Sequence, residues 1–305
     1  MGSQRPELQR GAPVIQHFLV VYLDVLGQRD ELRRLTTLPQ NDAELRQASA
    51  ALKRTLGCVL QLRELFKTLF DSYSKPADFL KSLPEPEQEA LRGLRRSEVL
   101  FYGFSDSFVV SVPLRSHDDH CTPINGVHAA LLASAIMPLN SLGLGHALRG
   151  GIDVGVGAQL DSGEVYGAAL ERAYTLEHDV SDYPRITVGD ELISYLQFVR
   201  DQPTSSIPAT CAKRTAERCL RFLARDSDGK VILDYLGEAV REIGANAVRP
   251  ETLTQVYEFA SRELVRFTLK GDTKLTSRYK RLNEYLAGRK ALWEPAGRRG
   301  HAGPS

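Results

Sequence analysis

Two aspartates stand where an acidic side chain is costly to place. Asp24 interrupts an almost unbroken apolar run, residues 17–26 (HFLVVYLDVL), near its C-terminal end, and Gly27 follows. Asp106 lies within GFSDSF, residues 103–108, between the apolar runs 99–102 and 108–112. Burying a carboxylate costs on the order of several kcal/mol unless something pairs with it. A salt bridge or a helix cap would be the ordinary solution for Asp24, and local turn chemistry for Asp106. If their strands are neighbours, however, the two carboxylates face each other and repel unless a cation sits between them. Such an oxygen site suits magnesium or manganese bridged by phosphates, and a pair of such ions is what two-metal phosphoryl chemistry uses. Gly27, Gln28 and Arg29 lie just past Asp24, before a helix start at residues 30–31. Backbone N–H groups at such a turn favour a polyanion.

The elements that must position these residues follow from periodicity. Residues 17–26 predict a strand buried on both faces, and 99–102 with 108–112 predict a hairpin. Residues 41–70 carry leucines at helical spacing, and a further helix is expected at 77–95. Helix at 126–139, strands at 149–156 and 164–166, a helix opening at 167–177 and a strand at 185–188 complete the first part. After the Pro/Ser/Thr-rich break at 200–210, helices are expected at 212–225, 237–245, 251–266 and 274–292, with a strand at 230–234. The order is that of an α/β or α+β chain with a central sheet. Residues 1–14 predict a flexible N-terminus, 15–200 a catalytic domain, 201–293 a mostly helical C-terminal extension and 294–305 a disordered tail.

Composition narrows the class. The 305 residues are 42% hydrophobic and 25% charged with net charge +1, which argues against a general nucleic-acid binder or a polybasic membrane surface. The cysteines, Cys58, Cys121, Cys211 and Cys219, match no zinc spacing and read as free thiols of a reducing compartment. His117 and His120 flank Asp118 and Asp119, which we read as a polar hairpin exit rather than a metal loop. The first residues lack the apolar core of a signal peptide, and apolar stretches such as 127–137 are too short to span a bilayer, so a cytoplasmic protein is expected.

Four segments resemble, in order, the motifs of class III nucleotidyl cyclases: YLDVLG (22–27), FSDSF (104–108), LRGGIDVGVG (148–157) and VYGAALERAYTLE (165–177). The resemblance covers residues 17–190. It implies a ferredoxin-like βαββαβ core sheet, with two manganese or magnesium ions held by Asp24, Asp106 and the carbonyl of Val25. It also gives Arg149 a precedent on the phosphate side, with a structural salt bridge as the equal alternative, and implies a homodimer in which the aspartates of one protomer face residues 164–177 of the other. The positions of the family's transition-state Asn and Arg fall on Glu171 and Thr175, so Arg172 and Arg185 are weighed as replacements. The base-reading Lys falls on Tyr102 and its partner on Glu164. These departures resemble the bacterial pyrimidine cyclases of Pycsar antiphage defence. That branch implies UTP, or less favourably CTP, as substrate, cyclic UMP or cyclic CMP as product, and a downstream cyclic-nucleotide effector. The competing readings are a purine cyclase with unusual base contacts and an inactive cyclase-like nucleotide sensor. A diguanylate cyclase relative is disfavoured, because the G-G-[DE]-E-F hairpin is absent.

Overall fold

The computed structural model describes residues 15–28, 35, 37–73, 85, 99–114, 123–160, 163–244 and 248–293. The helix expected at 77–95, apart from residue 85, lies outside the described residues, as do Arg29, His117, His120 and Cys121.

Among the described residues the chain is a mixed α/β fold of eight strands and eight α-helices. In order these are β1 (Ile15–Val25), α1 (Asp42–Tyr73), β2 (Leu100–Phe104), β3 (Ser107–Pro113), α2 (Pro123–Gly143), β4 (Leu148–Gln159), β5 (Val165–Gly167), α3 (Ala168–Thr175), β6 (Ile186–Val188), α4 (Asp190–Asp201), α5 (Ile207–Arg221), β7 (Leu223–Arg225), β8 (Val231–Leu233), α6 (Glu238–Gly244), α7 (Pro250–Leu269) and α8 (Thr273–Trp293). A π-helical turn, Leu176–Val180, prolongs α3. All strands belong to one sheet, ordered β2-β3-β1-β4-β6-β8-β7, with β5 pairing the far end of β4. β1 is central and antiparallel to both β3 and β4.

Because side chains alternate along a strand, β1 feeds two cores. Leu19, Val21, Leu23 and Val25 pack on the side of α1 and α2, whereas Phe18, Val20 and Tyr22 pack against Ala169 and Ala173 of α3. Burial on both faces explains the unbroken apolar run. Asp24 continues the series of Phe18, Val20 and Tyr22, so it belongs to the α3 face. Contrary to the expectation from residues 127–137, helix α2 is long and apolar enough to cross a membrane by length and composition, and 83% of its apolar window is buried inside the fold. A helix enclosed by sheet and helices is apolar all round for the same reason a membrane span is.

Two glycines of β4 set the distance of α3 from the sheet. A Cβ on Gly151 would lie 2.1 Å from the Ala173 carbonyl, and one on Gly155 would lie 2.8 Å from the Ala169 amide. The pairs Gly151/Gly155 and Ala169/Ala173 therefore let helix and strand backbones touch.

Several local expectations differ from the structure. Residues 223–225, read as the end of a helix, form β7, because Leu223 and Arg225 pair with Leu233 and Val231. Residues 190–201, unassigned by the sequence, form α4; Asp153 from β4 accepts the Leu192 amide at 2.9 Å and so supplies a cap from another element. The sheet also continues past residue 200, since β8 pairs with β6 through Ile232 and Thr187. Helix α5 begins at Ile207, inside the expected break and five residues before the expected start, because Ser206 Oγ accepts the Ala209 amide and Pro stands in the first turn.

Candidate active site

The register of the sheet brings the two aspartates to one end of neighbouring strands. Asp24 pairs with Ser107 of β3 and with Arg149 of β4. The Ser107 hydroxyl donates to Asp24 Oδ1 at 2.8 Å. One residue further on, the Val25 N–H donates to the Asp106 carbonyl at 3.2 Å, which fixes the hairpin tip against β1. Only Ser105 and Asp106 link β2 to β3, and Ser105 has φ +55°, a left-handed conformation uncommon for a residue other than Gly, Asn or Asp. The backbone is bent sharply at the residue before the aspartate.

Arg149 and Glu177 complete this end of the sheet. The Nε and Nη2 of Arg149 lie 2.6 and 2.5 Å from Glu177 Oε1, and its Nη1 donates to the Ser181 carbonyl at 3.3 Å. Glu177 is 2% exposed. Burial pushes its carboxyl up, Arg149 pulls it down, and Asp24 pushes it up again. The Glu177 and Asp24 charges are thus close enough to repel within one chain. Tyr22 adjoins both; its hydroxyl is pushed up by burial first, with Asp24 and Glu177 adding to the shift against the Ser107 hydrogen bond. Its ring meets Tyr174 edge-on at 5.4 Å, and Tyr174 stacks on His178 at 5.4 Å.

The turn after β1 keeps the form expected of it. Gly27 has φ +90° with open space around a would-be Cβ, and Gln28 is buried with Oε1 lacking a hydrogen-bond partner among the described residues. The chemistry of the donors fits hard divalent ions: two carboxylates and main-chain oxygens at one end of the sheet. Among the described residues no three His, Cys, Asp or Glu side chains gather into a metal cage.

Tyr102 and Glu164 are also brought together. The Tyr102 hydroxyl donates to the Val165 carbonyl at 3.3 Å, and burial, then Glu164, pushes its pKa up to about 12. Tyr102 and Tyr22 both pair with Val109, so the three occupy one row of the α3 face, next to the row of Asp24.

Other candidates lie elsewhere. Arg172 points to the far end of α3, 3.4 Å from Glu191 and 3.8 Å from Asp153. Arg185 is 1% exposed and bound to Asp226 and, at 2.7 Å, Asp228, which makes it a structural cation rather than a substrate ligand. The Thr175 hydroxyl donates to Glu171 at 3.1 Å on the exposed side of α3.

Sequence reasoning missed Ser107, Tyr22, the pairing role of Glu177, and Arg63. The Arg63 guanidinium reaches from α1 to the hairpin, where Nη2 donates to the Ser107 carbonyl at 3.0 Å. A Cβ on Gly103 would lie 1.9 Å from that nitrogen, so the glycine of GFSDSF makes room for the arginine. The run of motif residues hinted at Ser107 and Glu177; nothing local marks Arg63, one of several charges on a long helix.

No family model matches the sequence, and no curated protein matches it.

Proposed function

We propose that the chain is a pyrimidine nucleotidyl cyclase, converting UTP, or less favourably CTP, to the 3′,5′-cyclic monophosphate and pyrophosphate as a second messenger in antiphage defence. One observation carries this reading: Asp24 and Asp106 stand at the same end of two hydrogen-bonded strands, with Arg149 of β4 paired to Asp24. The strand order β2-β3-β1-β4 supports it, since a ferredoxin-like βαββαβ unit, the core of class III cyclases, has that order.

In the reaction the ribose 3′-hydroxyl gives up its proton to water, its oxygen attacks the α-phosphorus to form a new P–O bond, and the bond to the β-phosphate oxygen breaks in line, releasing pyrophosphate. Two manganese or magnesium ions, held by Asp24, Asp106 and the Val25 carbonyl, would supply Lewis-acid activation of the hydroxyl and charge neutralisation of the pyrophosphate. Ser107 orients Asp24, and the Val25–Asp106 bond holds the hairpin tip. Gly27 and Gln28 offer the turn for the phosphates, and Arg149, aligned by Glu177, faces them. Tyr102, neutral at any physiological pH, and Glu164 form the proposed contacts to the pyrimidine edge. The exposed Glu171, Arg172 and Tyr174 would meet a second protomer in a two-fold dimer.

A second reading, a nucleotide-binding relative without catalysis, is favoured by one observation: Glu171 and Thr175 hydrogen-bond to each other instead of presenting an amide and a guanidinium. Incubation with labelled ATP, GTP, CTP and UTP plus manganese separates the readings. A phosphatase-resistant product is expected from UTP or CTP alone, with a rate loss of about 100-fold or more in Asp106→Ala, the size expected for losing several kcal/mol of charge stabilisation. Product from a purine nucleotide would change the substrate. No product from any triphosphate, with Asp106→Ala indistinguishable, would sink the cyclase.

A further inference from the structure

Helix α1 lies in the stretch of chain between the two aspartates, outside every motif that resembles a cyclase, yet it packs on the hairpin that presents Asp106. Its Phe66 meets Phe101 of β2 at 5.6 Å and Phe108 of β3 at 6.1 Å between ring centroids, both edge-on. One side chain thus spans both strands of the hairpin. Arg63 lies three residues earlier on the same side of the helix and reaches the hairpin tip. There its Nη2 donates to the Ser107 carbonyl at 3.0 Å. It enters through the space left by Gly103, where a Cβ would lie 1.9 Å from that nitrogen.

Ser107 is bonded in two directions. Its carbonyl accepts from Arg63, and its hydroxyl donates to Asp24 Oδ1 at 2.8 Å. Asp106 is the residue before it, and the Asp106 carbonyl accepts the Val25 amide at 3.2 Å. Arg63 therefore acts on both carboxylates through one residue. The tip needs such a hold, because two residues close the turn and Ser105 carries φ +55°. An arginine is also a costly filler for this position. It is partly withdrawn from water, burial lowers its pKa, and its Nε is buried without a hydrogen-bond partner among the described residues.

We propose that Arg63 is a positioning residue of the metal site, fixing the hairpin tip from α1 so that Asp24 and Asp106 stand ready for divalent ions. It acts through Ser107, not on the ions or the substrate. The proposal rests on the reading of the two aspartates as metal ligands, and it deepens that reading by giving the long helix a part in it. Ligand carboxylates that are held in place by their neighbours bind metal more tightly than free ones.

Calorimetric titration of the full chain with manganese, without nucleotide, tests the hold apart from turnover. Wild type is expected to bind, and Arg63→Met about tenfold or more weakly, the size of effect that losing a supporting hydrogen bond has at metal sites. Arg63→Lys should fall in between, since an ammonium restores a donor but not the planar fork. Lys53→Gln, an exposed charge on the same helix, should leave the affinity unchanged. Gly103→Ala should push Arg63 off the hairpin and weaken manganese binding in wild type, yet add little in Arg63→Met, because the two changes break one contact. A merely structural arginine would lower the melting temperature without moving the manganese affinity of the folded protein. Equal affinity in wild type and the folded Arg63 variants, or fully additive effects of the Arg63 and Gly103 changes, overturns the proposal and leaves the cyclase reading standing. No manganese binding by wild type removes the metal site and the proposal with it. Arg63-dependent binding, with no cyclic product from any nucleoside triphosphate, would retain the proposal and remove the cyclase.

Discussion

Two charged regions of this molecule, at the Asp24 end of the sheet and around Arg185, use similar residues to opposite ends. Around Arg185, Asp226 and Asp228 from the β7–β8 turn close on one buried guanidinium, and Arg281 from α8 shares both. Close by, Asp234 takes Arg289 and the Tyr285 hydroxyl. A cavity of about 230 Å³ lined by Tyr183, Arg281, Tyr285 and Arg289 lies among them, but these arginines are already engaged by aspartates. At the Asp24 end, by contrast, the buried Glu177 is paired with Arg149 yet is pushed up by burial and by the neighbouring Asp24, so two carboxylates oppose each other. Charges that complete one another fasten α8 to the sheet. At the Asp24 end two carboxylates share one neighbourhood and repel.

The contrast can be broken at either region. Arg185→Ala should give the largest effect. It leaves two aspartates around an empty position, at a cost of about 3–5 kcal/mol for breaking a buried pair. Chemical denaturation should show it, and a loss below 1 kcal/mol would mean that water already serves these aspartates. Asp24→Asn should act in the opposite sense. With the Ser107 hydrogen bond retained and repulsion of Glu177 relieved, the metal-free protein should gain a few tenths to about 1 kcal/mol, the scale of a partly exposed charge pair. Manganese should raise the melting temperature of wild type and not of the variant. Destabilisation by Asp24→Asn would place this end with the Arg185 region, as a completed structural network.

The smallest effect concerns acid. Burial pushes the Asp226 and Asp228 carboxyls up, but hydrogen bonds outweigh it: Arg185 acts on both, with Tyr183 and the Ser227 amide at Asp226 and the Lys230 amide and Arg281 at Asp228. Both end below the ordinary aspartate value. Groups held low in the fold contribute stability that is present above the unfolded pKa of about 4 and is lost as pH falls through the folded value. Melting temperature should therefore decline below about pH 4 and decline less in Asp228→Asn. An unchanged slope in that variant would assign the acid loss to other carboxylates.

The sequence was most legible where a signal is local. An apolar run ending in Asp24, a hairpin around Asp106 and glycines spaced two and four apart in β4 are each written within about ten residues, because strand alternation and turn chemistry act at that range. The motif residues Gly151, Gly155 and Ala173 could be listed from the sequence, yet their use as contact points between strand and helix emerged only from the packed structure. Arg185 could be mistaken for a substrate ligand because its three acidic partners lie before and far after it in the chain.

By itself, then, the sequence determined that two aspartates end or link strands of an α/β chain, since burial and turn formation select residue types one neighbour at a time. The tertiary structure alone decided which strands adjoin, and so put Asp24 beside Ser107 and Arg149 beside Glu177. Those pairings join residues 83 and 28 positions apart. Sheet order and helix docking set them, and neither leaves a periodic trace in the chain.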